Sequence, residues 1–129
     1  MLDSAWKQWY YERHKFFCNQ TGTDFERYVT HALSLFHSDF DNPNPAGRLG
    51  DQGCDGLAEN GTILYACYGQ SPLSPNQHNL KAKLQSDFQR ALECWPDFVI
   101  WRFITNATFG PTVLKEFRKL QSEHNTGVK

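Results

Sequence analysis

GRLGDQGCDGLAENGTILYACYGQ, residues 47–70, is the stretch on which the fold turns. Asn60-Gly61 stands between β-forming residues, and that dipeptide favours the positive backbone angles of a two-residue hairpin loop. With Asn60 and Gly61 at the tip, Glu59 is set against Thr62, Leu57 against Leu64, Asp55 against Ala66 and Gly53 against Tyr68. Directly paired residues of an antiparallel ladder project to the same face. Asp55, Ala66 and Tyr68 are therefore expected on one face, and Cys54 opposite Cys67 on the other. The opposed cysteines read either as a cross-strand disulfide or as two small buried thiols. Facing positions leave Cβ atoms roughly 4.5–5.5 Å apart, wider than a disulfide prefers, which favours thiols.

Helices are expected on both sides of this hairpin. Residues 3–18 are dense in aromatics (Trp6, Trp9, Tyr10, Phe16, Phe17) at helical spacing. Phe25, Tyr28, Val29, Ala32, Leu33 and Phe36 follow the apolar spacing of an amphipathic helix. Thr23 and Glu26 ahead of them match a capping box, in which the two side chains satisfy exposed backbone donors. Proline, glycine and asparagine between Asp39 and Gly56 indicate a loop. A further helix is carried by Leu80, Leu84, Phe88, Ala91, Leu92 and Trp95 and stopped by Pro96. Phe98–Ile104 (FVIWRFI) is a near-continuous apolar run, expected of a strand buried on both faces. Gly110-Pro111 opens a last helix with Val113, Leu114, Phe117 and Leu120 on one side. Strands and helices alternate, which predicts an α/β domain with a mixed sheet.

The 129 residues are room for one domain spanning 1–129, with residues 3–18 as an appendage. The tail HNTGVK reads as the approach to another strand, as in a piece of a longer protein or a small sheet. A net charge of −1 gives no general electrostatic grip on nucleic acid. A local strip from Lys81, Lys83, Arg90, Arg102, Lys115, Arg118 and Lys119 is the alternative to ordinary solvated charges. Trp6, Trp9, Tyr10 and Tyr11 read either as a partner-binding patch or as a cover over a neighbouring element. No apolar run is long enough for a membrane span, and no secretory segment is visible, so a cytoplasmic protein without membrane contact is expected. Cys18, Cys54, Cys67 and Cys94 lack zinc-ligand spacing and read as reduced thiols. His14, His31, His37, His78 and His124 are scattered and read as ordinary surface or helix residues.

GRLGDQGCDG followed by ENGTILYACYGQ resembles the core of restriction-endonuclease-like domains of the PD-(D/E)XK type, in particular Mrr-like members. The likeness runs from Thr23 to the last helix. FITNATFGP is similar to the strand-end segment of such domains in bacterial antiphage systems, including ABC-type three-component ones. The resemblance implies a three-layer sandwich whose mixed central sheet contains a β-hairpin and is flanked by helices. It implies that Asp55 is the metal-binding aspartate, that Cys67 completes the coordination through its carbonyl, and that Glu26 is the helix glutamate. Mg²⁺ or Mn²⁺ would be the ion.

Two positions depart from that pattern. Ala66 stands where Glu or Gln is expected, and Tyr68 where Lys is expected. Losing a carboxylate removes one oxygen ligand for a hard cation. A tyrosine has no positive charge at neutral pH, so Tyr68 would at best orient water or phosphate. Asp51, Glu26 or Gln70 is then needed to compensate. The resemblance implies either a metal-dependent nuclease-like effector that hydrolyses DNA phosphodiesters in bacterial defence, or an inactive binding or assembly module keeping that fold. It also implies an NTPase or sensor domain, or a subunit of that kind, as partner.

Overall fold

The computed structural model describes residues 4–19, 22–42, 54–71 and 73–124. Four helices and three strands follow in the order α1 (Ser4–Cys18), α2 (Gly22–Phe36), β1 (Gly56–Ala58), β2 (Ile63–Tyr68), α3 (Gln77–Cys94), β3 (Ile100–Thr105) and α4 (Pro111–Glu123). The fold is mixed α/β, with the sheet order β1-β2-β3. β1 and β2 run antiparallel and β2 and β3 parallel, so the sheet is mixed as expected.

The hairpin has the expected register. Gly56 pairs with Tyr65, Leu57 with Leu64 and Ala58 with Ile63. Asn60 and Gly61 both have positive φ (58° and 79°), and Thr62 N–H donates to the Glu59 carbonyl at 3.2 Å. That is the mirror-image turn that suits the twist of a hairpin. Glu59 is also left-handed, at φ 54°. Asp39 holds it there: its carboxylate accepts the N–H groups of Glu59 (3.1 Å) and Asn60 (2.8 Å). Those bonds favour the charged carboxylate and pull its pKa below the ordinary 3.8. Just outside the hairpin, Asp41 and Leu57 exchange backbone bonds of 2.8 and 2.7 Å, adding one bridge on the far side of β1.

α3 and α4 cover one face of the sheet. Cys54, Leu64, Ala66 and Trp101 pack there against Leu80, Leu84, Phe88, Ala91, Val113 and Leu120. α2 covers the other face, where Phe25 and Val29 meet Cys67, and Leu33 meets Ala58, Ile63 and Tyr65. The sequence expectation for FVIWRFI is corrected. β2, not β3, is the strand buried on both faces; β3 lies at the edge of the described sheet and only Trp101 of it is fully buried. The capping box is corrected too. α2 begins at Gly22, which leaves Thr23 inside the helix. α3 is capped by Asn76, whose side chain accepts the Asn79 N–H, and α4 starts on Gly110-Pro111 as read from the sequence.

The segment after β3 is stitched to its neighbours by amides. Asn106 donates to the carbonyls of Cys18 (3.0 Å) and Gln70 (2.9 Å) and accepts the Gln70 N–H (2.8 Å). Gln70 in turn bonds the Asn76 carbonyl, and Gln77 bridges Thr108 and Gly110. α1 has no buried residue; Trp6, Trp9, Tyr10, Tyr11 and Phe16 are exposed. It is tied to α2 by Phe17 stacked on Tyr28 and by His14 against the Tyr28 hydroxyl at 2.7 Å.

Gly69, after β2, lets the start of α2 come close. A Cβ on Gly69 would stand 2.7 Å from both Cα and the carbonyl oxygen of Gly22. Gly69→Ala is therefore expected to destabilise the fold by about 1–3 kcal/mol, because backbone, not a flexible side chain, must give way. Urea unfolding measures it, and a neutral result would refute the close approach. Asp39→Asn is expected to lower stability at pH 7. Because the folded pKa of Asp39 is depressed, its contribution is present above the ordinary 3.8 and lost as pH falls through the folded value. The stability gap between wild type and variant should therefore close below about pH 4 in acid-denaturation curves.

Candidate functional site

The site residues expected from the sequence divide between the two faces of the sheet. Glu26 from the first half of α2, Asp55 from just before β1 and Cys67 from β2 line one groove of about 700 Å³. Thr23, Arg27, Thr30, His31, Ser34 and Asn42 complete its walls. Ala66 is fully buried in the opposite core, and Tyr68 packs against that core with its hydroxyl near the Gln70 amide. The expectation that Asp55 shares a face with Ala66 and Tyr68 is therefore corrected. So is the pairing of the cysteines. Cys54 lies with Ala66 and Cys67 with α2, on opposite sides. All four cysteines are free thiols.

The physical reason is a one-residue offset at the mouth of the hairpin. The ladder pairs Gly56 with Tyr65, yet the Asp55 N–H also donates to the Tyr65 carbonyl, at 2.8 Å. Two successive residues thus face one partner, as in a β-bulge. Side chains alternate along a strand, so an offset of one sends every residue before it to the other face. Asp55 is turned toward α2, where its carboxylate accepts the Cys67 N–H at 2.7 Å. Cys54 is turned into the core, where its thiol donates to the Gly56 carbonyl at 3.2 Å.

Cys67 is buried, and burial pushes its thiol pKa strongly upward; the Asp55 and Glu26 carboxylates add to the shift. The groove offers two carboxylates, three hydroxyls and an amide as oxygen donors. That is the donor chemistry a hard divalent cation takes, with Glu26 and Asp55 supplying the charge. Arg27 at the wall carries a guanidinium, which suits phosphate oxygens.

Other sequence candidates are placed elsewhere. Asp51 lies outside the described residues. Gln70 is buried in the amide stitching after β2. Of the basic strip, Lys83 pairs with the buried Asp87 at 3.1 Å, Arg102 donates to the Tyr65 hydroxyl at 2.9 Å, and Lys119 pairs with Glu123. His37 is not the ordinary surface residue expected; it is 5% exposed. Its ring bridges the Glu59 carboxylate (3.2 Å) and the Tyr65 hydroxyl (2.7 Å). The sequence signal for this was slight, a histidine two residues before the turn-holding Asp39. Among the described residues no helix is long and apolar enough to cross a membrane.

The cysteines give a direct test of this placement. Brief alkylation of the native protein near neutral pH should modify the exposed Cys94 and spare Cys54 and Cys67, which are buried, Cys67 being held as the thiol. Peptide mass spectrometry reads the outcome; early labelling of Cys67 would contradict the groove geometry.

No family model, curated protein or solved structure matches the chain.

Proposed function

We propose that the chain is a nuclease-like effector module of bacterial defence that holds a divalent cation, Mg²⁺ or Mn²⁺, between Glu26 and Asp55 and hydrolyses DNA phosphodiesters. The observation that carries the reading is the placing of these two carboxylates, from separate elements, on the walls of one oxygen-lined groove. It agrees with the motif resemblance at Asp55 and with the helix glutamate that the resemblance implies. A cation held there supplies a more acidic bound water and neutralises charge developing on phosphate. Glu26 and Asp55 do the holding. Arg27 receives a phosphate oxygen, and Asp55 is kept in place by the Cys67 N–H.

The machinery in this reading is reduced, and Tyr68 has no part in it. Positions 66 and 68 supply neither acid nor base to the groove, since Ala66 and Tyr68 both belong to the opposite core. That observation favours the second reading, a fold kept as a binding or assembly module without catalysis. An NTPase or sensor domain or subunit of a defence system is the partner proposed for either case.

Plasmid nicking in Mg²⁺ and in Mn²⁺ separates the two. The nuclease reading expects cleavage that Asp55→Asn and Glu26→Gln each reduce by about 100-fold or more, the scale on which charge-stabilising groups act. No cleavage by the wild type would leave the binding module, and cleavage indifferent to both substitutions would overturn the cation site at Glu26 and Asp55.

A further inference from the structure

We propose a second cation site, for a borderline divalent ion such as Zn²⁺, formed by His37, Asp39 and Glu59 where the end of α2 meets the hairpin turn. One donor atom from each of the three lies within 4.8 Å of the others, the one such set of three among the described residues. The site is separate from the groove. Glu26 and Asp55 stand toward one end of α2 and β1; His37 and Glu59 stand just beyond the other.

Geometry and chemistry both point to a metal of the zinc class. In tetrahedral zinc sites with bonds of 2.0–2.2 Å, neighbouring donors lie roughly 3.4 Å apart. His37 Nδ1 and Glu59 Oε1 are already 3.2 Å apart. Glu59 is exposed, so its carboxylate can close the remaining distance toward Asp39, and water can fill a fourth position. An imidazole with two carboxylates suits zinc, nickel or cobalt better than the all-oxygen shell of Mg²⁺ or Ca²⁺.

Two of the three ligands are also held from behind. Coordination through Nδ1 requires the ring proton on Nε2, and the Tyr65 hydroxyl oxygen lies 2.7 Å from that nitrogen to accept it. Tyr65 is itself fixed by Arg102, which donates to the same oxygen. Asp39 is fixed by the N–H groups of Glu59 and Asn60. Outer partners of this kind orient a ligand before the ion arrives. The bound ion would clip the C-terminal end of α2 to the tip of the β1–β2 hairpin, joining the two elements that also carry Glu26 and Asp55.

The test is calorimetric titration of the full chain with ZnCl₂, with Co²⁺ absorption as the second readout. The wild type should bind one Zn²⁺ at this site. Glu59→Gln and His37→Gln should each weaken binding by about 10-fold or more, and Tyr65→Phe by about 10-fold through the ring orientation. Glu59 lies on an exposed turn, so its variant decides the matter even if the buried His37 cannot be replaced without unfolding. The Co²⁺ spectrum should lack a thiolate charge-transfer band. Absence of binding, unchanged affinity in Glu59→Gln, a thiolate band pointing to Cys18, or binding lost in Asp55→Asn instead would each overturn the site.

Discussion

One backbone hydrogen bond decides what the groove is made of. The Asp55 N–H reaches the Tyr65 carbonyl although Tyr65 already opposes Gly56. Without that offset, strand alternation would send Asp55 into the α3–α4 face, where a carboxylate would sit among Leu64, Leu84 and Trp101 at a heavy desolvation cost. With it, Asp55 goes to the polar side and the small Cys54 fills the apolar position. Gly56, beside the offset, leaves room for the Phe40 ring, which any Cβ there would run into. The Asp55 carboxylate then replaces the ladder where the ladder fails, by taking the Cys67 N–H. The same bond that positions the acid therefore also holds the mouth of the hairpin closed.

The two faces of the sheet are chemically unlike. Toward α3 and α4 the side chains are tightly packed and apolar, centred on Trp101 against Phe88 at 4.9 Å between ring centroids. Toward α2 they include Tyr65, Arg102, Cys67 and Asp55, with His37 and Glu26 opposite. A buried polar group is costly unless bonded, and these are bonded in chains: Glu59 to His37, His37 to Tyr65, Tyr65 to Arg102. Such chains fix one arrangement of α2 over the sheet, since sliding the helix would break several bonds at once. The apolar face supplies stability, and the polar face supplies position.

The legible features were those governed by local rules. Asn60-Gly61 demands positive φ, so the turn and the register of Leu57 against Leu64 followed from the dipeptide alone. Helical spacing gave α2, α3 and α4, and Pro96 and Pro111 marked an end and a start. The offset at Asp55 was not legible, because GCDG fits a regular strand entry as well as a bulge, and only the packing of both faces selects between them. The centre of the sheet was misplaced for a related reason. ILYACY and FVIWRFI are equally apolar, and strand order, not composition, made β2 the middle one. His37 was hidden because its partners Glu59 and Tyr65 lie 22 and 28 residues away in sequence.

The arrangement at the two ends of α2 bears on how the groove keeps its shape. Near its start the helix touches the sheet backbone to backbone, Gly22 against Gly69, and Phe25 and Val29 pack beside that contact against Cys67. At its far end His37 adds a polar restraint through a ring bonded on both sides. Glu26 lies between these anchors, one turn from Gly22, so its placement toward Asp55 depends on both. The chemistry of the groove and the polar chain around His37 are thus parts of one mechanical unit, made of α2 and the hairpin, that rests on the apolar face beneath it.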